Sequence, residues 1–393
     1  MLDPTAKDQI VKACHEFRFF KVVNHGVPLE AVTKLEEEAV KFFNNSITIP
    51  GNSQLFRCLV KEYVGGVRNT TCEVLEMIVE GLKIESKDVL SRLVTNHRVP
   101  VALLAQIEHQ TRRFFELAPE QKLQVMRSPG SAAGYGPPRI SHFFSNRMWY
   151  EGFTVVGSPL EHARRVWPQH YSAFCAVIED YQEQMMGLTE KIASLMFKSL
   201  GLSAGEDVEW FDPNGPCKST QTYLQLNSYP NCPDPTRAMG LAQHTDTSLI
   251  TLLYQSGTSR GLQVYGPNLN WVDVEPISNS IIVNLGDLMQ IISNGQFKSV
   301  LHRAIVSKAH HRISVAYFFG PNKNVEISPS PKLIKGSEFP MYRSISWKEY
   351  LDIKNMYFNA LEMIGFNSVV EKSNALASGN EAPLVSEVEA IEL

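Results

Sequence analysis

MGLAQHTDTSLITLLYQ, residues 239–255, carries two signals at once. Its second half, LITLLYQ, is an aliphatic and β-branched run of strand type, and its first half sets His244 and Asp246 two residues apart. In or beside a strand, residues i and i+2 point to the same side, so this imidazole and carboxylate make a chelating pair. The same texture surrounds the stretch: TYLQLNSY, GLQVYG, WVDVEP, SIIVNLG, VLHRAIV and RISVAYFF follow one another between turn residues. Short strands at this spacing predict an all-β sandwich or barrel, and a jelly roll is the natural member of that class. Helical segments on either side make the expected fold α+β, a jelly-roll core flanked by helices.

A chelating pair needs a third ligand, and His302 in VLHRAIV lies on a later strand. Two imidazoles, one carboxylate and open coordination positions are the facial triad of non-haem Fe(II) oxygenases. Taken alone, a histidine is more often structural than a ligand, and HxD arises by chance in many chains. The context strengthens the reading. Ten residues after His302 come Arg312 and Ser314, which alternation places on one face. A dicarboxylate held by the iron at one end can meet Arg312 at the other through a charge-assisted contact of roughly 1.5–3 kcal/mol. Without that context, Arg312 reads as a surface ion pair. Gly286-Asp287 and Asn294-Gly295 are expected to turn hairpins, and His310-His311 to form a solvated turn.

Composition excludes several classes. With 393 residues, the chain has room for two or three domains. A formal net charge of -4 gives no electrostatic footprint for nucleic acid. Six dispersed cysteines, with no CxxC pair, suggest a reduced intracellular protein and no zinc site. No run reaches the roughly 18 apolar residues of a membrane span, and MLDPTAKDQ lacks the features of a signal peptide. The expectation is a cytoplasmic monomer with neither nucleic-acid nor membrane partner.

The front of the chain repeats itself. VVNHGVP at 22–28 returns as VTNHRVP at 94–100, and at the same offset of 72 Leu35 matches Ile107 and Phe42-Phe43 match Phe114-Phe115. Helical spacing over 7–20 and 29–44 makes the repeat a strand, a turn and a helix. A second echo links 62–84 with 180–202, both long helices. Two units are too few for a solenoid, so the divisions drawn are 1–93, a truncated duplicate of a front region; 94–218, the helical front of the catalytic unit; 219–322, the jelly roll; 323–368, a C-terminal helical segment; and 369–393, an acidic disordered tail. Arg98 stands where the first copy has Gly26, so any left-handed conformation required there is strained. Pro28 and Pro100 admit the following helices, and a histidine in that turn can satisfy turn or core hydrogen bonds.

HTD, His302 and RIS, preceded by LQLNSYPNCPDP at 224–235, resemble the plant 2-oxoglutarate- and Fe(II)-dependent dioxygenases. The resemblance covers roughly 94–365 and implies a double-stranded β-helix flanked by helices, with His244, Asp246 and His302 on iron and Asn227, Tyr229, Arg312 and Ser314 holding 2-oxoglutarate. MWYEGFTVVGSPLEH, MGLAQHTDTSLITLLYQS, GDLMQIISNGQFKSVLHRA and HHRISVAYFFGP are similar to gibberellin 3-beta-dioxygenases in particular. The resemblance therefore implies Fe(II), 2-oxoglutarate and dioxygen, with ascorbate as reductant, and 3-beta-hydroxylation of a gibberellin, a diterpenoid acid. HFFSNRMWYEGF at 142–153 is a candidate wall of the substrate pocket, with Phe143 and Trp149 as apolar members and Arg139 or Arg147 for the substrate carboxylate. Aromatic residues are also commonly plain core.

CHEFRFFKVVNHGVPLEAVTKLEEEAVKFF and CEVLEMIVEGLKIESKDVLSRL instead resemble gibberellin 2-beta-dioxygenases, and this first copy stops before any metal motif. Before VTNHRVP stands that copy's long helix, where the family has an opening strand and helix. Three readings thus stay open: a 3-beta-hydroxylase with a fused fragment; a 2-beta-hydroxylase or an enzyme for another apolar acid; and a non-catalytic fused or degenerate paralogue.

Overall fold

Alternation from Thr220 onward resolves into two facing sheets. The computed structural model describes residues 92–94, 97–212, 220–257, 260–266, 270–334 and 339–365, all within the unit Ser86–Leu393. The first copy, where helices are expected at 7–20 and 29–44, and the acidic tail lie outside the described residues. In chain order the front elements are β1 (Arg92–Val94), α1 (Val101–Phe115), α2 (Pro119–Leu123), β2 (Gly134–Gly136), a 3-10 turn at Arg139–Phe143, β3 (Glu151–Val155), α3 (Leu160–Val166) and α4 (Ser172–Ser199). The core follows as β4 (Thr220–Tyr229), β5 (Leu241–His244), β6 (Ile250–Gln255), β7 (Leu262–Tyr265), β8 (Trp271–Asp273), β9 (Ile281–Leu285), α5 (Asp287–Ile292), β10 (His302–Ala304) and β11 (Arg312–Pro321). A small ladder of β12 (Glu326–Ile327) and β13 (Ile345–Ser346) precedes α6 (Trp347–Met356) and α7 (Ala360–Met363).

The larger sheet runs β1-β9-β6-β11-β4-β3-β2 and the smaller β5-β10-β7-β8. Their inner faces meet through Leu253 and Ile282 of the larger sheet and Leu262 and Val264 of the smaller, with Val274 and Val300 closing the cluster. Each such side chain stabilises the sandwich by about 1.5–3 kcal/mol on full burial. This is the jelly roll anticipated above. The strand Arg92–Val94 pairs antiparallel with Ile281–Val283 at the sheet edge and straddles the 93/94 division drawn from the repeat.

Helices cover the outer side of the larger sheet. In α1 the buried Leu103, Leu104, Ile107, Thr111, Phe114 and Phe115 recur at helical spacing. Phe114 stacks on Phe153 of β3, centroids 4.3 Å apart, which ties the helix to the sheet. In α4 one stripe, from Phe174 through Ile178, Tyr181, Met185 and Thr189 to Phe197, is buried.

Three local readings change. Gly286 does not turn a hairpin: it caps α5, and a Cβ there would lie 2.1 Å from the Ser248 carbonyl oxygen, so the glycine serves a close approach of two backbones. Asn294 and Gly295, at φ 49° and 77°, close the same helix instead, with the Gly295 N–H donating to the Gln290 carbonyl at 2.8 Å. The C-terminal helix breaks at Tyr357, and Phe358 packs edge-on against Phe143 and Phe144 at 5.8 and 5.9 Å.

Candidate metal centre and cavity

His244 ends β5 and His302 begins β10, and the two are direct partners in the antiparallel β10–β5 register. Asp246 follows two residues later in the loop toward β6. One ligand atom from each of the three lies within 4.8 Å of the others, and each Nε2 is 3.7 Å from Asp246 Oδ1. Hydrogen bonds fix which atoms face inward. Nδ1 of His244 meets the Ala242 carbonyl at 2.8 Å and Nδ1 of His302 the Val300 carbonyl at 2.9 Å. A carbonyl only accepts, so each Nδ1 carries the proton and each Nε2 presents a lone pair. Asp246 Oδ2 accepts from Thr251 Oγ1 at 2.7 Å and Asn284 Nδ2 at 2.8 Å, which leaves Oδ1 for a metal.

Protonation agrees with that geometry. Burial, then the neighbouring His302, draws the His244 imidazole down to about 4. Burial alone would raise Asp246, but His302, His244 and the Asn284 and Thr251 bonds outweigh it and hold the carboxyl below its usual range. Two imidazoles with Nε2 turned inward and an ionised carboxylate on one side of a cavity fit an Fe(II) ion with open positions. The loop is braced from behind. Asp287 is fully buried, its N–H donates to the Asp246 carbonyl at 2.7 Å, and its Oδ2 accepts from Thr245, Tyr350 and Lys354.

The four residues expected at 2-oxoglutarate are brought together by register. Arg312 lies opposite Tyr229 and Ser314 opposite Asn227 in the β11–β4 ladder, so period two puts all four on one face. Arg312 is 4% exposed, sits 5.0 Å over the Tyr229 ring and donates to Gln255 Oε1 at 3.0 Å, while its Nε has no partner. Burial pushes the guanidinium pKa down and Tyr229 opposes it. Gly261 leaves room for this side chain: a Cβ there would lie 2.7 Å from Arg312 Cδ.

Triad and Arg312 face share a cavity of about 270 Å³. Arg139 and Phe143 line it, on the 3-10 turn. Arg147 and Trp149 do not: Arg147 is exposed, and the Trp149 indole donates outward to the Pro230 carbonyl at 3.0 Å. Tyr150, inside the candidate wall 142–153, also lines the cavity, whereas sequence reasoning passed over Arg127, Thr154, Gln225, Asn284 and Lys354, which line it too. Only Asn284 and Gln225 carried a signal, as polar residues on alternating strands.

His97 lies outside this constellation. Its Nδ1 accepts from the Val99 N–H at 3.1 Å and its Nε2 donates to the Asn279 carbonyl at 2.7 Å. Arg98 takes φ 62°, the left-handed conformation that glycine adopts at low cost.

The sequence profile of the 2OG-Fe(II) oxygenase superfamily matches residues 220–321. A second profile, the N-terminal region of non-haem dioxygenases in morphine synthesis, matches 3–47 and 92–171. Gibberellin 3-beta-dioxygenase 1 of Arabidopsis thaliana is 49% identical over 272 residues, 69% of this chain and 75% of that protein. Its Pisum sativum namesake is 47% identical over 266 residues, 68% of this chain and 71% of the relative. Among solved structures, JOX2 in complex with 2OG, Fe and JA superposes with TM-score 0.63 at 28% identity, covering 72% of this chain and 82% of that one. A rice dioxygenase for auxin oxidation shares the fold, with TM-score 0.59 at 24% identity, covering 77% of this chain and 96% of that one.

Proposed function

The chain belongs to the 2-oxoglutarate/Fe(II) oxygenase superfamily, in its gibberellin 3-beta-dioxygenase family, and from that premise we propose how its site works and which residues do it. The enzyme is an Fe(II)- and 2-oxoglutarate-dependent dioxygenase that hydroxylates a gibberellin at the 3-beta position. His244, Asp246 and His302 hold the iron; Arg312, Ser314, Tyr229 and Asn227 hold the 2-oxoglutarate carboxylate remote from it. The observation that carries the reading is the shared cavity, with the triad on one wall and the Arg312 face on the next.

Bound iron supplies the activation of dioxygen, coupled to conversion of 2-oxoglutarate to succinate and carbon dioxide. The residues supply position and shelter. Nδ1 bonds lock both imidazoles, Asn284 and Thr251 lock the carboxylate, and Arg312 fixes the far end of the co-substrate with a charge-assisted fork. Ile140, Phe143, Leu241, Leu351 and Trp347 give the cavity apolar walls for a diterpenoid skeleton. Arg139 on the rim meets the substrate carboxylate. Supporting that role, Arg127, Arg139, Arg303, Arg312 and Lys354 are cationic lining residues, against the single acid Asp246.

The wider reading keeps the divisions drawn from the sequence, with 1–93 a shortened duplicate, and treats the protein as a cytoplasmic monomer with ascorbate as reductant. Two separate matches of one N-terminal profile support the duplicate. Among the described residues no helix is long and apolar enough to cross a membrane. Incubation of the purified protein with Fe(II), 2-oxoglutarate and a 3-deoxy gibberellin tests the function. Succinate together with a 3-hydroxylated product is expected; decarboxylation with hydroxylation elsewhere would move the regiochemistry, and a folded, iron-loaded protein without decarboxylation would refute it. Removal of residues 1–90 asks separately whether the first copy matters.

A further inference from the structure

Six polar side chains along one wall of the cavity form a hydrogen-bonded series with a single direction. Arg127 Nη2 donates to Thr154 Oγ1 at 3.2 Å, Thr154 Oγ1 to Gln225 Oε1 at 2.5 Å, and Gln225 Nε2 to the Tyr150 hydroxyl at 2.9 Å. Tyr150 then donates to Asn227 Oδ1 at 2.8 Å, and Asn227 Nδ2 to Ser314 Oγ at 3.2 Å. The sense begins at Arg127, which can only donate: Thr154 accepts there and gives its own proton to Gln225 Oε1. With the Gln225 amide so turned, the Tyr150 hydroxyl is an acceptor from Nε2 and a donor to Asn227, whose amide is set in turn. At the end Ser314 Oγ has an acceptor site filled and keeps its own O–H for donation. Burial keeps the Tyr150 phenol neutral, so it has the proton its place requires.

The fold is built around this series. Thr154 faces Gln225 in the β3–β4 register and Asn227 faces Ser314 in β4–β11, so the bonds step across three adjacent strands. Gly152 stands directly opposite Asn227, and a Cβ there would lie 2.1 Å from the Tyr150 hydroxyl and 2.6 Å from Gln225 Nε2. Only an absent side chain leaves space for those two groups to meet. At the head, Arg127 Nε is buried without a hydrogen-bond partner, and the positive charge of Arg139 adds to burial in lowering the Arg127 pKa. Two neighbouring guanidiniums on a wall that offers no acid form a receptor for an anion.

We propose that a carboxylate of the apolar substrate binds at Arg127 beside Arg139, and that Thr154, Gln225, Tyr150 and Asn227 relay its presence to Ser314, so that substrate and 2-oxoglutarate tighten each other's binding. This rests on the reading of Arg312 and Ser314 as the co-substrate end. An anion on Arg127 holds the guanidinium in the orientation that donates to Thr154, and each following group loses its alternative rotamer. The order paid for by one ligand is then not required of the second, which is positive coupling without a change of fold. Linkage makes it reciprocal, with a factor on the order of ten in either direction.

Calorimetry on the full chain loaded with Mn(II), which keeps turnover out of the measurement, tests the relay. The dissociation constant of 2-oxoglutarate is measured with and without saturating 3-deoxy gibberellin, in the native protein, Gln225→Met and Tyr150→Phe. Native protein is expected to show a ratio of about ten. Both variants bring the ratio close to one, while 2-oxoglutarate affinity without gibberellin stays within about twofold. A merely structural role predicts the opposite pattern, a lowered unfolding midpoint or weaker binding of both ligands at an unchanged ratio. Because both substitutions break one series, the double variant is no worse than either single one. A native ratio of one, or a ratio retained in either folded variant, overturns the relay alone. Binding of 2-oxoglutarate with no gibberellin binding at all overturns the functional reading and the relay with it.

Discussion

The Asn284 amide donates to Asp246 Oδ2 at 2.8 Å, on the carboxylate oxygen opposite the one that faces the two imidazoles. One oxygen is thereby engaged by Thr251 and Asn284, and the other faces the two imidazoles. Partners of this kind set ligand orientation and basicity, and their loss costs about 10–100-fold in metal affinity. Asn284→Ala is expected to weaken Mn(II) or Fe(II) binding by that factor in chelator competition, with the circular dichroism spectrum preserved. Unchanged affinity would mean that Thr251 alone orients Asp246.

Arg312→Lys keeps the charge and loses the fork. A lysine donates from one point and cannot pair with both oxygens of a carboxylate, nor spread flat over the Tyr229 ring, which the guanidinium covers at 5.0 Å. Loss of roughly 1.4 kcal/mol corresponds to about tenfold. The dissociation constant of 2-oxoglutarate should rise by about that much in calorimetry while metal affinity stays level. Equal affinity for 2-oxoglutarate would show that the remote carboxylate binds elsewhere.

Legibility in the sequence followed the range of the interactions. His244 and Asp246 were readable because two-residue spacing on a strand is a local rule, and Arg312 with Ser314 for the same reason. Their assembly was less so: that His302 pairs with His244 and Ser314 with Asn227 is set by strand register, which one chain does not spell out. Gly286 shows the limit most clearly. A glycine before aspartate suits a hairpin turn, yet the requirement here is the approach of the Ser248 carbonyl from a distant loop. Trp149 likewise belongs to an aromatic run, but its indole is turned away by the Pro230 carbonyl. Of the repeat, Arg98 could be judged in advance because left-handed φ is penalised by the residue's own Cβ, whatever surrounds it.

Acidification should destabilise the metal-free protein. His244 titrates near 6.5 when unfolded and at about 4 in the fold. Between those values the unfolded chain holds a proton that the native chain lacks, so stability rises with pH and is lost as pH falls from about 6.5 toward 4. One such group contributes a slope of up to about 1.4 kcal/mol per pH unit. Urea unfolding of metal-free protein at pH 7, 6 and 5 measures it, and His244→Gln should flatten the dependence by that amount. A slope identical in that variant would assign the acid sensitivity to other groups.

His97 and Arg98 make a matched pair of predictions at the turn into α1. The His97 ring bridges the Val99 N–H and the Asn279 carbonyl, and truncation leaves both backbone groups without it. His97→Ala is therefore expected to lower stability by about 2–4 kcal/mol, while metal affinity stays within about twofold of native. Arg98 at φ 62° bears the left-handed penalty of about 1–2 kcal/mol, which glycine escapes and a β-branched residue suffers most. Arg98→Gly should raise the denaturation midpoint and Arg98→Val should lower it, with the glycine gain reduced by the greater freedom of the unfolded chain. The sign of the difference between these two variants is the decisive quantity, since any contact made by the arginine side chain is lost in both. A collapse of metal binding in His97→Ala at undiminished stability would instead place this histidine at the metal and break the assignment of His244, Asp246 and His302.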